Sequence, residues 1–347
     1  MMYRRVINRV AIGATFLASV VVMLGAWTRL VDAGLGCPDW PGCYGFLTVP
    51  ETPEKIAIAE MRFPDAPVEV DKGWPEMIHR YFASLLGFVL LCLSVYAISV
   101  RAKISGTAKE EALPYGHIFG LLALVICQGM FGMWTVTLKL WPQVVSAHLL
   151  GGFATLSLLF LLVLRTRRER GDSDTELKKK GTSVGKKAAL IGLILVVIQI
   201  FLGAWTASNY AALACGDELP TCQGSFWPDM DFGKGFDLTQ EVGPNYLGGT
   251  MDNESRVAIQ VTHRVGAIVL SVYLIWMVFV LWRQNHASSI RNALLLMSAV
   301  LVVQFGLGLS NVILLVPLAI AVAHNAVGAL LLLSMMNLNY QIYRLQK

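Results

Sequence analysis

Residues 292–343 carry no Asp, Glu, Lys or Arg. A water-soluble domain of ordinary size cannot hide a run of that length, and it exceeds one membrane crossing, which takes ~20 residues of helix. Pro317, after Leu314-Leu315-Val316, supplies a break within it. Charge-free stretches recur along the chain: between Arg9 and Arg29, Arg80 and Arg101, and Arg264 and Arg283, and over 112–138, 140–164 and 188–216. The composition is 55% hydrophobic and only 15% charged, with mean hydropathy +0.59. These features specify an all-α polytopic membrane protein and exclude a soluble globular class. They predict eight spans, near 10–29, 77–100, 114–138, 143–165, 187–208, 257–282, 290–312 and 317–339.

The net charge of +5 does not point to nucleic acid, because its placement sets orientation instead. Arg4, Arg5 and Arg9 precede the first span, and Arg101, Lys103 and Lys109 follow the second. The stretch 165–187 is dense in Arg and Lys, whereas the opposite loops, 30–75 and 209–254, are long and mostly acidic. The positive-inside rule then expects both termini and the basic segment in the cytoplasm, with the chain in the cytoplasmic (inner) membrane. The basic start before an apolar run has the look of a signal peptide. Its length, the lack of a small-residue cleavage site and the later repetition of its end argue for a retained first span.

The chain repeats itself. Gly25-Ala-Trp-Thr28 returns as Gly203-Ala-Trp-Thr206, and Cys37 and Cys215 stand at the same distance beyond these motifs. Gln128 precedes His148 by the interval at which Gln304 precedes His324. Gly132-Met-Trp-Thr135 is a weaker third copy. The expectation is two parallel-repeat four-helix bundles, 1–165 and 187–347, joined by a basic cytoplasmic linker, 166–186. An even number of spans per unit keeps both copies in one orientation.

Four histidines occupy matching places in the two units: His79 and His148 in the first, His263 and His324 in the second. Each lies a few residues into an apolar segment near the outer surface. A lone histidine there is usually a packed or hydrogen-bonded side chain; four in register mark a site. Two imidazoles facing each other across a bundle form an axial pair for haem iron. Gly151, Gly266 and Gly328 follow within about a turn and are read as room for a flat macrocycle; His79 departs, with Tyr81-Phe82-Ala83 after it. No close Cys or His cluster accompanies these residues, so zinc fits less well. His117 and His286 fall on the inner side without such partners.

The halves differ in one acid. Glu76 stands one helical turn before His79, where the second unit has Gln260 before His263. Glu76 reads either as a first-turn acid after Pro75 or as a group that moves protons beside its histidine, which would make the first unit reactive and the second electron-holding. Arg29, Arg80 and Arg264 are cations on the side that the orientation rule disfavours; they either snorkel to the interface or pair with haem propionates. Cys37 and Cys43 bracket one outer turn, and Cys215 and Cys222 another. A disulfide pinning each loop is expected, with a redox role for the first left open. Cys92 and Cys127 lie in apolar helices and read as packing.

Taken together, Gly25-Ala-Trp-Thr-Arg29, Cys37-Pro-Asp-Trp-Pro-Gly-Cys43, Glu76-Met-Ile-His-Arg80, His148-Leu-Leu-Gly-Gly152, Thr262-His-Arg-Val-Gly266 and His324-Asn-Ala-Val-Gly328 resemble the haem A synthase family over nearly the whole chain. The resemblance implies oxidation of the C8 methyl of haem O to a formyl group through an alcohol, for terminal oxidases. It implies that His79 and His148 ligate the substrate haem, that His263 and His324 hold a resident haem b, and that Glu76 is the acid beside the substrate. Pathway logic adds the haem O synthase and terminal-oxidase assembly factors as partners, and a homo-oligomer is left open. Two other readings compete. A dihaem b electron-transfer cytochrome would spread its histidines over both leaflets. A parallel-repeat transporter would break its helices at mid-depth, whereas Pro142 and Pro317 stand at helix ends.

Overall fold

A computed structural model describes residues 2–104, 113–167, 183–284 and 288–344. The described residues form ten α-helices: α1 (Met2–Leu30), α2 (Pro53–Arg62), α3 (Val70–Ile104), α4 (Tyr115–Thr137), α5 (Pro142–Thr166), α6 (Ser183–Ser208), α7 (Phe232–Gly235), α8 (Asn253–Arg283), α9 (Ser288–Ile313) and α10 (Leu318–Arg344). Eight of them, all but α2 and α7, are long and apolar enough to cross a membrane. The chain is a multi-pass membrane protein. His286 and most of the basic stretch 166–186 lie outside the described residues.

Hydropathy underestimates these helices where they leave the apolar layer. α8 begins at Asn253, a turn before its apolar segment, because Asp252 caps it by accepting from the Ser255 N–H at 2.9 Å. α3 begins at Val70, with Asp71 in its first turn and Pro75 inside the helix. Water-exposed turns need polar residues, so an apolar criterion cannot find them.

The C-terminal ends of α1, α4, α6 and α9 share one construction. The backbone carbonyls of Thr28, Thr135, Thr206 and Asn311 accept from Ala33 N (3.0 Å), Leu140 N (2.8 Å), Ala211 N (2.9 Å) and Val316 N (2.7 Å). Each closure passes through left-handed residues: Asp32, then Lys139 and Leu140, then Tyr210, then Leu315 and Val316. These bonds satisfy carbonyls that a helix end would otherwise leave bare. The break anticipated at Pro317 is therefore a built turn.

In the first part of the chain α1 packs on α3 and α5, and α4 packs on α3 and α5; in the second, α6 packs on α8 and α10, and α9 on α8 and α10. α5 meets α6, and α1 and α5 meet α10. The buried face of α1 runs Ile7, Ala11, Ala14, Ala18, at helical spacing. Small residues let backbones approach closely, which is how helices gain contact where lipid offers no hydrophobic drive. Phe16, Phe88, Val95, Val272 and Val302 point outward toward lipid. So do Cys92 and Cys127, which are free thiols with exposed side chains; the packing role expected for them is not what they have.

Candidate functional site

Each of the four histidines leans on a glycine of an adjacent helix. A Cβ on Gly25 of α1 would stand 2.9 Å from Cε1 of His79 on α3. The same contact is 3.3 Å between Gly132 of α4 and His148 of α5, 3.2 Å between Gly203 of α6 and His263 of α8, and 3.3 Å between Gly308 of α9 and His324 of α10. An alanine at any of these positions would crowd the ring. The Gly-x-Trp-Thr motif thus does two things: its glycine seats a histidine, and its threonine carbonyl closes the helix end. Gly308-Leu-Ser-Asn311 is the fourth copy, and the change of Trp-Thr to Ser-Asn hides it from inspection of the sequence.

All four rings are partly buried. His79 and His148 face each other with ring centroids 6.4 Å apart and planes 88° apart. An imidazole nitrogen binds a transition metal at about 2.0–2.1 Å, so two rings on opposite sides of one iron have centroids roughly 6 Å apart. Nδ1 of both rings is buried without a hydrogen-bond partner among the described residues. No group of three or more His, Cys, Asp or Glu able to hold a metal ion occurs among the described residues. The spacing and the unpartnered nitrogens fit an axial pair. His263 and His324 are each met by a glutamine: Gln199 Nε2 lies 3.0 Å from His263 Nδ1 and also donates to the His263 carbonyl, and Gln304 Nε2 lies 3.3 Å from His324 Nε2.

The glycines after the histidines have a contact that was not expected. The spaces where Gly151, Gly266 and Gly328 lack a Cβ are filled by the side chains of Gln128, Gln199 and Gln304. In this structure each of these glycines makes room for a glutamine side chain. The signal was available: each glutamine stands one turn before the glycine that seats the histidine, and Gln199 completes the series begun by Gln128 and Gln304.

Glu76 is buried, at 5% exposure. One carboxylate oxygen accepts from the Cys37 N–H at 3.0 Å, and the other is paired with the Arg80 guanidinium. Gln260, its counterpart, has an Oε1 that is buried without a partner. Arg80 also donates to the carbonyls of Asp39 (3.0 Å) and Gly42 (2.5 Å). Arg264 does the same in the second disulfide loop, to Glu218 (2.9 Å) and Thr221 (3.2 Å). Each arginine therefore fastens a disulfide loop. Cys37 is bonded to Cys43, and Cys215 to Cys222. Asp39 caps the first loop by accepting from Tyr44 N (2.6 Å) and Gly45 N (2.8 Å); Glu218 accepts from Gly224 N (2.7 Å) in the second. The Tyr44 phenol, in the first loop, is pushed up to about 12 by burial and by the carboxylates around it. It stays neutral and donates to the Pro67 carbonyl at 2.8 Å.

Arg29 sits elsewhere. It donates to the Ala207 carbonyl at 2.6 Å and lies over the Tyr210 ring, 4.0 Å from its centroid, so it ties the end of α1 to the end of α6. Arg29 Nε, Arg264 Nε and Arg264 Nη2 are buried without partners among the described residues. On the opposite side of the molecule, His117 Nδ1 is 3.3 Å from an Arg165 nitrogen and takes no part in the site.

The chain is similar to known proteins along most of its length. The family described as cytochrome oxidase assembly protein, COX15-CtaA, matches residues 8–336. The chain is 41% identical to a haem A synthase of Shewanella oneidensis over 326 residues, covering 93% of each. It is 28% identical to one of Agrobacterium fabrum, over 90% of this chain and 83% of the relative. A third, from Maricaulis maris, is 26% identical over 92% of this chain and 91% of its own.

Proposed function

This chain belongs to the COX15-CtaA family of cytochrome oxidase assembly proteins, and from that premise we propose that it is a haem A synthase. It oxidises the C8 methyl of haem O to a formyl group through an alcohol, supplying haem A to terminal oxidases. The observation that carries the site assignment is the facing pair His79 and His148, with centroids at the separation an iron requires and Glu76 one turn away.

In this reading the two parallel-repeat bundles divide the work. His79 and His148 hold the substrate haem in residues 1–165, and His263 and His324 hold a resident haem b in residues 187–347. Haem b supplies one-electron redox capacity when bound. The remaining work belongs to side chains. Oxidising a methyl group releases protons, and a carboxylate within reach accepts them; Gln260 at the matching position could not. The Cys37 N–H and Arg80 hold the Glu76 carboxylate in place, so it needs no rearrangement to act. The unpartnered N–H groups of Arg264 and Arg29 suit propionates, whereas the terminal nitrogens of Arg80 are committed to its loop and to Glu76. Both termini and the basic segment lie in the cytoplasm, and both sites lie toward the outer face of the inner membrane. The haem O synthase and oxidase assembly factors are the expected partners.

The test is to purify the protein in mild detergent from a host that makes haem O, extract its haems and separate them. Haem b together with haem O, its alcohol or haem A supports the assignment. Haem b alone would favour a dihaem electron-transfer cytochrome, and no haem would overturn both.

A further inference from the structure

We propose that the loop between α6 and α8 is a working part of the first haem site: it straps the turn that starts α5, and so sets where His148 stands. The proposal goes beyond the reading of His79 and His148 as a haem pair and rests on it. The turn is an unusual one, because Lys139 and Leu140 both adopt left-handed backbone, at φ +48° and +60°. Side chains keep that conformation where surrounding structure holds them in it. Two distant segments do so here. The Lys139 carbonyl accepts from the Tyr246 N–H at 3.0 Å, and the Trp141 indole donates to the Gln240 carbonyl at 3.2 Å. Leu140, 5% exposed, lies 3.0 Å from where a Cβ on Gly34 would stand. The strap is itself braced: Tyr246 is buried, its hydroxyl donates to the Glu241 carbonyl at 2.5 Å, and its carbonyl accepts from the Gly249 N–H at 3.0 Å.

Trp141 is the N-cap of α5, and its carbonyl accepts from the N–H groups of Val144 (3.0 Å) and Val145 (3.1 Å). His148 follows seven residues later, two turns on and on the same side of the helix. Two residues before His148, the Ser146 hydroxyl meets the Ser208 hydroxyl of α6 at 3.1 Å, with both side chains buried. α5 is thus tied to the second half of the chain at its start and again beside its histidine. The corresponding turn before α10 differs. Val316 closes on Asn311 as Leu140 closes on Thr135, so Leu315 matches Lys139 and Pro317 matches Trp141. Proline has no side-chain donor to offer a strap. Leu314 and Leu315 are 55% and 54% exposed, and among the described residues the backbone of this turn hydrogen-bonds only within the α9–α10 hairpin. The first site therefore draws part of its frame from the other half, and the turn leading to His324 has no such strap. Trp141 and Ser146 are positioning residues: they act through α5, and a ligand is only as well placed as the shell that supports it.

The experiment uses the full-length protein in mild detergent, with its haem b content measured by extraction, titrated with ferric haem O. Trp141→Phe keeps an aromatic ring and removes the donor. It should weaken haem O binding about fivefold, the factor that corresponds to one hydrogen bond of about 1 kcal/mol. It should also shift the low-spin electron paramagnetic resonance signal of haem O while that of haem b stays. Unchanged affinity overturns the proposal. Weaker binding with an unmoved haem O signal overturns it as well, because the ligand would then stand where it did. So does equal loss of both haems, since the strap would then serve the whole fold. Should Trp141→Phe fail to fold, Ser146→Ala decides by the same readings, with the same changes expected. An unaltered protein that takes up no haem O, or whose haem O signal is indifferent to His148→Ala, fails the underlying reading instead.

Discussion

The carboxylate of Glu76 and the backbone N–H of Cys37 are hydrogen-bonded at 3.0 Å, which joins the first disulfide loop to the helix turn that carries His79. The second loop has a disulfide and an arginine fastening of the same kind, yet Gln260 has no partner on its Oε1 among the described residues. The two corresponding positions therefore differ by one acid and by what holds it.

Replacing that acid tests it directly. Glu76→Gln keeps an acceptor for the Cys37 N–H and removes only the charge and the basicity. We expect both haems to remain and haem A formation to fall by about 10²-fold or more, the usual worth of a positioned base. Haem extraction and product chromatography on the same sample check it; normal haem A output would remove Glu76 from the mechanism.

Arg80 should be structural before it is anything else. Its side chain and that of Glu76 are 11% and 6% exposed. Arg80→Ala leaves a buried carboxylate without its cation, a loss of about 3–5 kcal/mol. Thermal inactivation in detergent should move far more for Arg80→Ala than for Glu76→Gln/Arg80→Ala, which removes both charges.

The two disulfides should be separable. Opening either short loop costs roughly 2 kcal/mol by loop-closure entropy, so Cys37→Ser and Cys215→Ser are expected to lower thermal stability alike. Only Cys37→Ser disturbs the anchor of Glu76, and only it should lower the oxidation rate beyond the loss of folded protein. Equal rates per folded molecule would show that the first loop is merely a staple.

Acid should loosen the start of α8. The Asp252 carboxyl, outside the apolar layer, is held down at about 2 by hydrogen bonds from the Ser255 side chain and backbone, and then by Lys234. Its folded value lies below the ordinary 3.8, so its contribution is complete above about pH 4 and is lost as pH falls toward 2. Amide exchange at Ser255 and Arg256 should accelerate over that window, and Asp252→Asn, which caps without titrating, should flatten the dependence.

The spans were legible because lipid enforces long apolar helices, and the four histidines because such residues are rare there. The closing turn at Pro317 was legible from one proline. Other features were not. The first turns of α3 and α8 are polar and lie outside any hydropathy window. That Gly151, Gly266 and Gly328 receive glutamine side chains was not legible, because a glycine records only that something comes close, not what. Gln199, Gly308 and the loop-fastening role of Arg80 and Arg264 needed contacts between residues distant in sequence. Lys139 and Leu140 adopt left-handed backbone with side chains that give no warning of it.

Arg29 and Ala207 hold the same place in the two copies of the motif, Gly25-Ala-Trp-Thr-Arg29 and Gly203-Ala-Trp-Thr-Ala207. They also touch, through the Arg29 guanidinium and the Ala207 carbonyl. Where equivalent positions of a duplicated chain meet, any charge on one is faced by its own image. Two identical halves would bring arginine against arginine at this junction, and like charges at such range repel. The two copies of the motif differ at this junction: one carries the cation, and the other, with a small side chain, leaves its carbonyl open to receive it.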